Sequence, residues 1–205
     1  MHVPRNELEG ARGLTIKAMS QPGPEYFATE QWVPYPVELV FAFFANPQNL
    51  PHLMPPRMKV RVEDLRIVPA PPRPLAADLS RRFQSLAAGV GTEILISFYP
   101  IPWVPRRVSW MARIVEFEWN SHFLDEQSRG PFIHFQHRHG IELQSRDGVE
   151  GTLVSDRIEF ALPYGRLGQI GAKLISGQLA SQFAHRQTRL PQILEAAQRQ
   201  AARRA

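Results

Sequence analysis

PFIHFQHRHGIELQSRDGVEGTLVSDRIEFALPYGRLGQIGAKLISGQLASQFAHRQTRLPQIL, residues 131–194, is the stretch whose reading decides the fold. Within it, PFIHFQHRHGIELQS and GTLVSDRIEFALP are strand-like, and a short connection between them predicts an antiparallel pair. After Pro163 and Gly165 the period changes. Leu167, Ile170, Leu174, Leu179 and Phe183 recur at helical spacing, and the polar-rich tail continues helically to about residue 200. Pro191 is expected to kink or reset that helix, because proline lacks the N–H that a helix interior uses. Glycines at 165, 168, 171 and 177 each cost a helix about 1 kcal/mol relative to alanine, so they imply room for a ligand or for close sheet contact.

Upstream, TEILISFY, RRVSWMARIVEFEW and SHFLDEQS read as further strands whose short, turn-marked connections predict an antiparallel meander. In MKVRVEDLRIV, Met58, Val60 and Val62 alternate with Lys59, Arg61 and Glu63, the pattern of a half-exposed strand. The first strand is YFATEQWVP. Pro34 and Pro36 stop it before VELVFAFFAN, dense enough in apolar residues for a buried helix. Asn46 and Pro47 then suit the N-cap and first turn of a second short helix, running to about Leu53 before MPP breaks it. PAPPRP and LAADLSRRFQSLAAG, with Leu75, Leu79, Phe83 and Leu86 spaced helically, predict an inserted flap at about 69–89. Residues 1–24 lack periodicity and end in QPGP, which predicts a loosely ordered arm ahead of one domain over 25–200.

Composition bounds the chemistry. At 205 residues with 43% hydrophobic and 21% charged side chains, the chain suits one packed α+β core. The absence of cysteine excludes disulfides, thiolate nucleophiles and Cys-ligated zinc. The first twenty residues contain no apolar signal core, and no apolar run reaches the ~20 residues of a membrane-spanning helix, so a cytoplasmic location is expected. The formal charge of +5 is spread without any basic run, and Lys occurs only at Lys17, Lys59 and Lys173. No nucleic-acid motif accompanies the charge, and nucleic acid is not an expected partner.

The order strand, two short helices, six strands, long helix resembles the Bet v 1/START-like superfamily, also called SRPBCC, including its polyketide cyclase/dehydrase and lipid-transport group. The resemblance runs from about Tyr26 to Leu194 through VPYPVELVFAFFANPQNL, GTEI, W-M-A-R-I, FLDEQSRGPFIHFQHRH, GTLVSDRIEFALPYG and FAHRQTRLPQIL. It implies a helix-grip fold, a seven-stranded curved antiparallel sheet around the long C-terminal helix. It also implies an internal cavity for an apolar or amphipathic small molecule such as a lipid, quinone or polyketide. The chain departs from the pattern in its N-terminal arm and in the flap.

Strand parity then sorts side chains into faces. Val154, Ile158, Phe160 and Leu162 share a face with Asp156. Phe135 and Ile141 share one with His137 and His139, and Phe123 shares one with Asp125 and Gln127. A bulge near Gly140 would flip part of this assignment. The expected ligand-binding set is Trp110, Phe123, Asp125, Gln127, Phe135, His137, His139, Asp156 and Phe160. His137 and Asp156 are the candidate acid/base residues of a cyclase or dehydratase. The same groups can instead simply satisfy one another, leaving a pure binding protein. A third reading has Trp110, Phe123, Phe135 and Phe160 filling the cavity of an interaction module. His137-x-His139 on a strand can chelate a metal, with Asp156 or Asp125 as a third ligand, but such pairs usually carry none, and neither metal nor cofactor is expected. FYPIPWVPRR, with the 128–131 turn and MPP, is placed by the resemblance at the cavity mouth. Tyr99, Ile101 and Trp103 there would guard ligand passage or touch a membrane transiently.

Overall fold

The computed structural model describes residues 23–74, 85–100, 105–163 and 165–202. Most of the predicted arm and the helical part of the flap lie outside these residues, as do Ile101 and Trp103.

Strand β1 (Glu25–Val33) is followed by helix α1 (Val37–Phe44), a 3-10 turn (Pro47–Asn49) and helix α2 (Leu50–Leu53). Then come β2 (Arg61–Arg66), β3 (Glu93–Phe98), β4 (Val108–Glu118), β5 (His122–Arg129), β6 (His134–Arg146), β7 (Val149–Ala161) and helix α3 (Gly165–Ala202). All seven strands form one antiparallel sheet in the order β1-β7-β6-β5-β4-β3-β2. The meander runs β2 to β7, and β1 pairs back onto β7. This is the helix-grip α+β architecture that the resemblance implied.

The grip is visible in which segments reach α3. From β1, Phe27 lies 5.1 Å from the Phe183 ring. From beyond β3, the Pro100 carbonyl accepts from Gln178 Nε2 at 3.0 Å, and Arg57, ahead of β2, donates to Ser181 Oγ at 3.0 Å. The two sides of the sheet thus converge on one helix.

Helix α1 buries six of its seven apolar residues, Val40 and Phe41 fully. It drives Phe41 against Phe117, Trp119 and Phe123, with ring centroids 5.4, 5.4 and 6.3 Å apart. Asn46 Oδ1 caps the next turn by accepting from Gln48 N at 3.1 Å, as its sequence position implied.

Two sequence expectations shift. Strand β2 begins at Arg61 rather than Met58, because Lys59 adopts φ +45°, which ends the Pro56–Met58 turn. Met58 is buried from that turn, and an irregularity between Val62 and Asp64 puts Leu65 rather than Asp64 in the half-buried position after Val62. At the other end of the chain α3 continues through Pro191 as one helix. The carbonyl left without its helical donor is that of Gln187, and Gln31 Nε2 donates to it at 2.7 Å. Gln187 Nε2 in turn donates to Thr29 Oγ1 at 3.0 Å, so the proline becomes a docking point for β1.

The helix glycines divide likewise. A side chain at Gly168 would collide with the Pro163 carbonyl at 2.5 Å, and one at Gly171 would press on Leu162 at 3.0 Å. Both permit close approach of the segment leading into the helix, whereas a side chain at Gly177 would meet nothing within 4 Å. The described ends of the 69–89 insertion are joined to each other, with Ala70 N to Ala87 O at 3.2 Å and Gly89 N to Val68 O at 2.8 Å. Among the described residues no helix is long and apolar enough to cross a membrane.

Candidate functional site

Between α3 and the concave face of the sheet lies a space of about 440 Å³. Its walls are aliphatic and aromatic: Phe44, Ile94, Ile96, Phe98, Trp110, Ile114, Phe123, Phe132, Phe135, Ile158, Leu179 and Phe183 among others. Trp110 packs edge-on against Phe98, Phe132 and Phe135 at 6.3, 5.8 and 4.4 Å. Its indole Nε1 is buried with no partner among the described residues. Met54, Pro100 and Pro131 also line the space, one from each segment expected at the mouth. Tyr99 does not; its ring lies under Arg107, 4.9 Å away.

One wall is polar. The β5–β6–β7 register runs without interruption past Gly140, so no bulge disturbs the parity there. Asp125 pairs across strands with His137, and His139 with Asp156. Asp125, His137 and His139 line the cavity, and Asp156 sits behind them, 1% exposed. His137 Nε2 lies 2.9 Å from Asp156 Oδ1, and His139 Nε2 lies 3.2 Å from Asp125 Oδ2. His139 Nδ1 is 3.1 Å from Asp156 Oδ1 but not aligned for a hydrogen bond, so that contact acts through charge.

The residue that sequence reasoning missed is Arg186. Its guanidinium clamps Asp156 with both Nη atoms, Nη1 to Oδ1 at 2.9 Å and Nη2 to Oδ2, and the residue is itself only 7% exposed. It lies over the Phe183 and Phe44 rings at 4.4 and 5.4 Å. Extending the helical spacing from Leu179 and Phe183 by three residues reaches position 186, then Leu190 and Leu194. The signal was there, in a charged residue on an apolar stripe.

Electrostatics follow from this packing. Burial alone would raise the Asp156 carboxyl, but the Arg186 charge, the bonds from His137 and Arg186 and the close His139 imidazole hold it well below the usual carboxylate range. Burial also disfavours charge on both histidines. For His137 burial wins, aided by repulsion from His139, and its pKa falls below the usual value. For His139 the bond to Asp125 and the negative charges of Asp125 and Asp156 prevail, and its pKa rises. Of the two imidazoles, His139 is therefore the one that keeps a proton to higher pH.

Not every expected site residue reaches the cavity. Phe160 is fully buried in the sheet–helix core. Gln127 turns away to brace the turn that follows β5, Nε2 donating to the Phe132 carbonyl at 2.8 Å while Oε1 accepts from Phe132 N at 3.3 Å. Asp156 reaches the cavity only through the imidazoles it holds. Trp110, Phe123 and Phe135 line the space rather than filling it.

No family model and no curated protein matches the chain. Among solved structures it is similar to TTHA0849 from Thermus thermophilus, with 18% identity over 84% of this chain and 99% of that one and a TM-score of 0.54. It also aligns with Ara h 8.0201 (14% identity, 81% and 97% covered, TM-score 0.47) and with DR_A0006 from Deinococcus radiodurans (14%, 82% and 97%, 0.44). At these identities the likeness to TTHA0849 establishes a shared fold and nothing narrower.

Proposed function

We propose that this protein binds an apolar or amphipathic small molecule, of the lipid, quinone or polyketide-like class, between the sheet and α3. The observation that carries the reading is the pairing of a space of about 440 Å³, walled by aliphatic and aromatic side chains, with one preorganised polar wall. Apolar burial supplies affinity, at roughly 25 cal/mol per Å² removed from water. Asp125, His137, His139 and the unpartnered Trp110 indole N–H orient the ligand's polar end. Met54, Pro100 and Pro131 mark the side through which it passes, and transient contact of that rim with a membrane is a compatible loading route. Native mass spectrometry of the purified chain, followed by organic extraction, tests the reading. A reproducible apolar compound released in step with loss of the bound mass supports it. An empty protein that shows no thermal shift with lipids, quinones or aromatic polyketides overturns it.

One observation favours a chemical step as the second reading. His137 stands on the cavity wall with Asp156 fixing its ring at 2.9 Å, the arrangement of an oriented acid/base for a cyclase or dehydratase. His137→Gln would then abolish turnover of the extracted compound with little change in its affinity.

A further inference from the structure

The polar wall holds a donor set that ligand orientation does not require. Asp125, His137 and His139 each offer one ligating atom, and these atoms lie within 4.8 Å of one another. Asp125 Oδ2 and His139 Nε2 are 3.2 Å apart. Two ligands bound tetrahedrally at about 2.0–2.1 Å stand about 3.3 Å apart, so this edge is already the length an ion needs.

The surroundings are those of a supported site. All three donors line the cavity, whereas Asp156 approaches both imidazoles from behind, at 2.9 and 3.1 Å. A carboxylate behind a ligating histidine fixes its ring and raises its basicity. Arg186 holds that carboxylate in turn. His139 is sandwiched between Phe123, stacked at 4.2 Å and 21°, and His137, whose ring centroid is 3.7 Å away. Neither imidazole can swing away without breaking these contacts.

We propose that Asp125, His137 and His139 form a binding site for a divalent ion of the zinc class, with its remaining coordination position open to the cavity. Two histidines and one carboxylate suit zinc, and three protein ligands leave a position that a ligand's polar oxygen can take. The site stands on the wall's own donors and does not depend on which molecule fills the cavity. An ion held there occupies His137, so it also excludes that residue from acting as a free base.

The test uses the full chain, free of any tag and dialysed against chelator, titrated with Co²⁺ and followed by visible absorption. One ion per chain with the intense bands of four- or five-coordinate cobalt, displaced by Zn²⁺, is the expected result. Asp125→Ala and His139→Ala abolish the bands, Asp156→Asn weakens binding about 10- to 100-fold, and the surface control His52→Ala leaves it unchanged. Because replacements in this wall can unfold the chain, the wild type is also titrated with Zn²⁺ while its histidine ring resonances are followed by NMR. Selective shifts of His137 and His139 support the site even where the variants fail to fold. Only the weak spectrum of hydrated cobalt, binding unaffected by Asp125→Ala, or shifts confined to other histidines overturns it. Ligand extraction can succeed while this fails, and the reverse, so the two readings are separately tested.

Discussion

From Ala172 to Phe183 and again from Leu190 to Leu194, the same helix meets the same sheet in two different ways. At its C-terminal part Leu190 and Leu194 are fully buried with Val33, Val40, Phe41, Ile141 and Val154, because α1 inserts its apolar face between helix and sheet. At its N-terminal part Phe135, Ile158, Phe160, Ala172 and Phe183 form a separate cluster, and the space beside it is the cavity. The polar cluster lies at the boundary in every element: Arg186 between Phe183 and Leu190, Asp156 between Ile158 and Val154, the histidines between Phe135 and Ile141. One end of the grip carries the stability and the other carries the space, and an ion-paired seam divides them.

The largest effects should come from the seam and the packed end. Arg186→Leu strands a buried carboxylate, and losing one partner of such a pair costs about 3–5 kcal/mol. The double variant Arg186→Leu/Asp156→Leu should cost far less than the sum of the two single changes, which denaturant melts arranged as a double-mutant cycle measure directly. Phe41→Ala should also cost about 3–5 kcal/mol, since its ring is enclosed on every side. Phe135→Ala at the cavity end should fall at or below about 3 kcal/mol, because a side chain bordering empty space has no partner atoms there to lose. Equal costs for Phe41→Ala and Phe135→Ala would mean that the two ends are equally packed and would dissolve the comparison.

A smaller effect separates the two histidines by sign, in chelator and without ligand. His139 has a raised pKa, so its contribution is complete below about pH 6.5 and is lost as pH rises through its folded value. His137 has a lowered pKa, so its contribution is complete above about pH 6.5 and is lost as pH falls toward its folded value. Stability should therefore fall away on both sides of that region. Thermal melts across pH should show His139→Gln losing the alkaline decline and His137→Gln the acid one. If both variants lose the same limb, the two pKa values are not shifted in opposite directions.

The fold was legible because alternation and helical spacing report burial, and burial is what strands and helices share with the core. Inward placement of Asp125, His137 and His139 followed from parity, since the β5–β6–β7 register carries no bulge there. Gln127 escaped the same rule because side-chain amides bond the nearest backbone, here the Phe132 peptide, and strand parity carries no information on that. Arg186 was passed over because a charged residue on an apolar helical stripe reads as a break in the stripe until its buried partner is known. The late start of β2 rests on one residue with positive φ, Lys59, which alternation cannot register.

Helix spacing misled at Ile170 and Leu174, and the smallest prediction tests why. Both belong to the helical spacing of apolar residues, yet they are 70% and 61% exposed, Leu174 at the rim of the cavity and Ile170 outside it, and the residues packed against the sheet in that part of α3 are Ala172, Ile175 and Leu179. The close approach at Gly168 and Gly171 sets the helix rotation here, since those backbone contacts must fall on the side of Leu162 and Pro163. Ile170 is then left in solvent. Ile170→Ser should accordingly change stability by no more than about 0.5 kcal/mol in a denaturant melt, the range of surface positions, and should leave ligand affinity untouched. A cost above about 1.5 kcal/mol, in the range of a buried aliphatic side chain, would place Ile170 in a packed layer. The cavity end would then be as closed as the end that α1 fills.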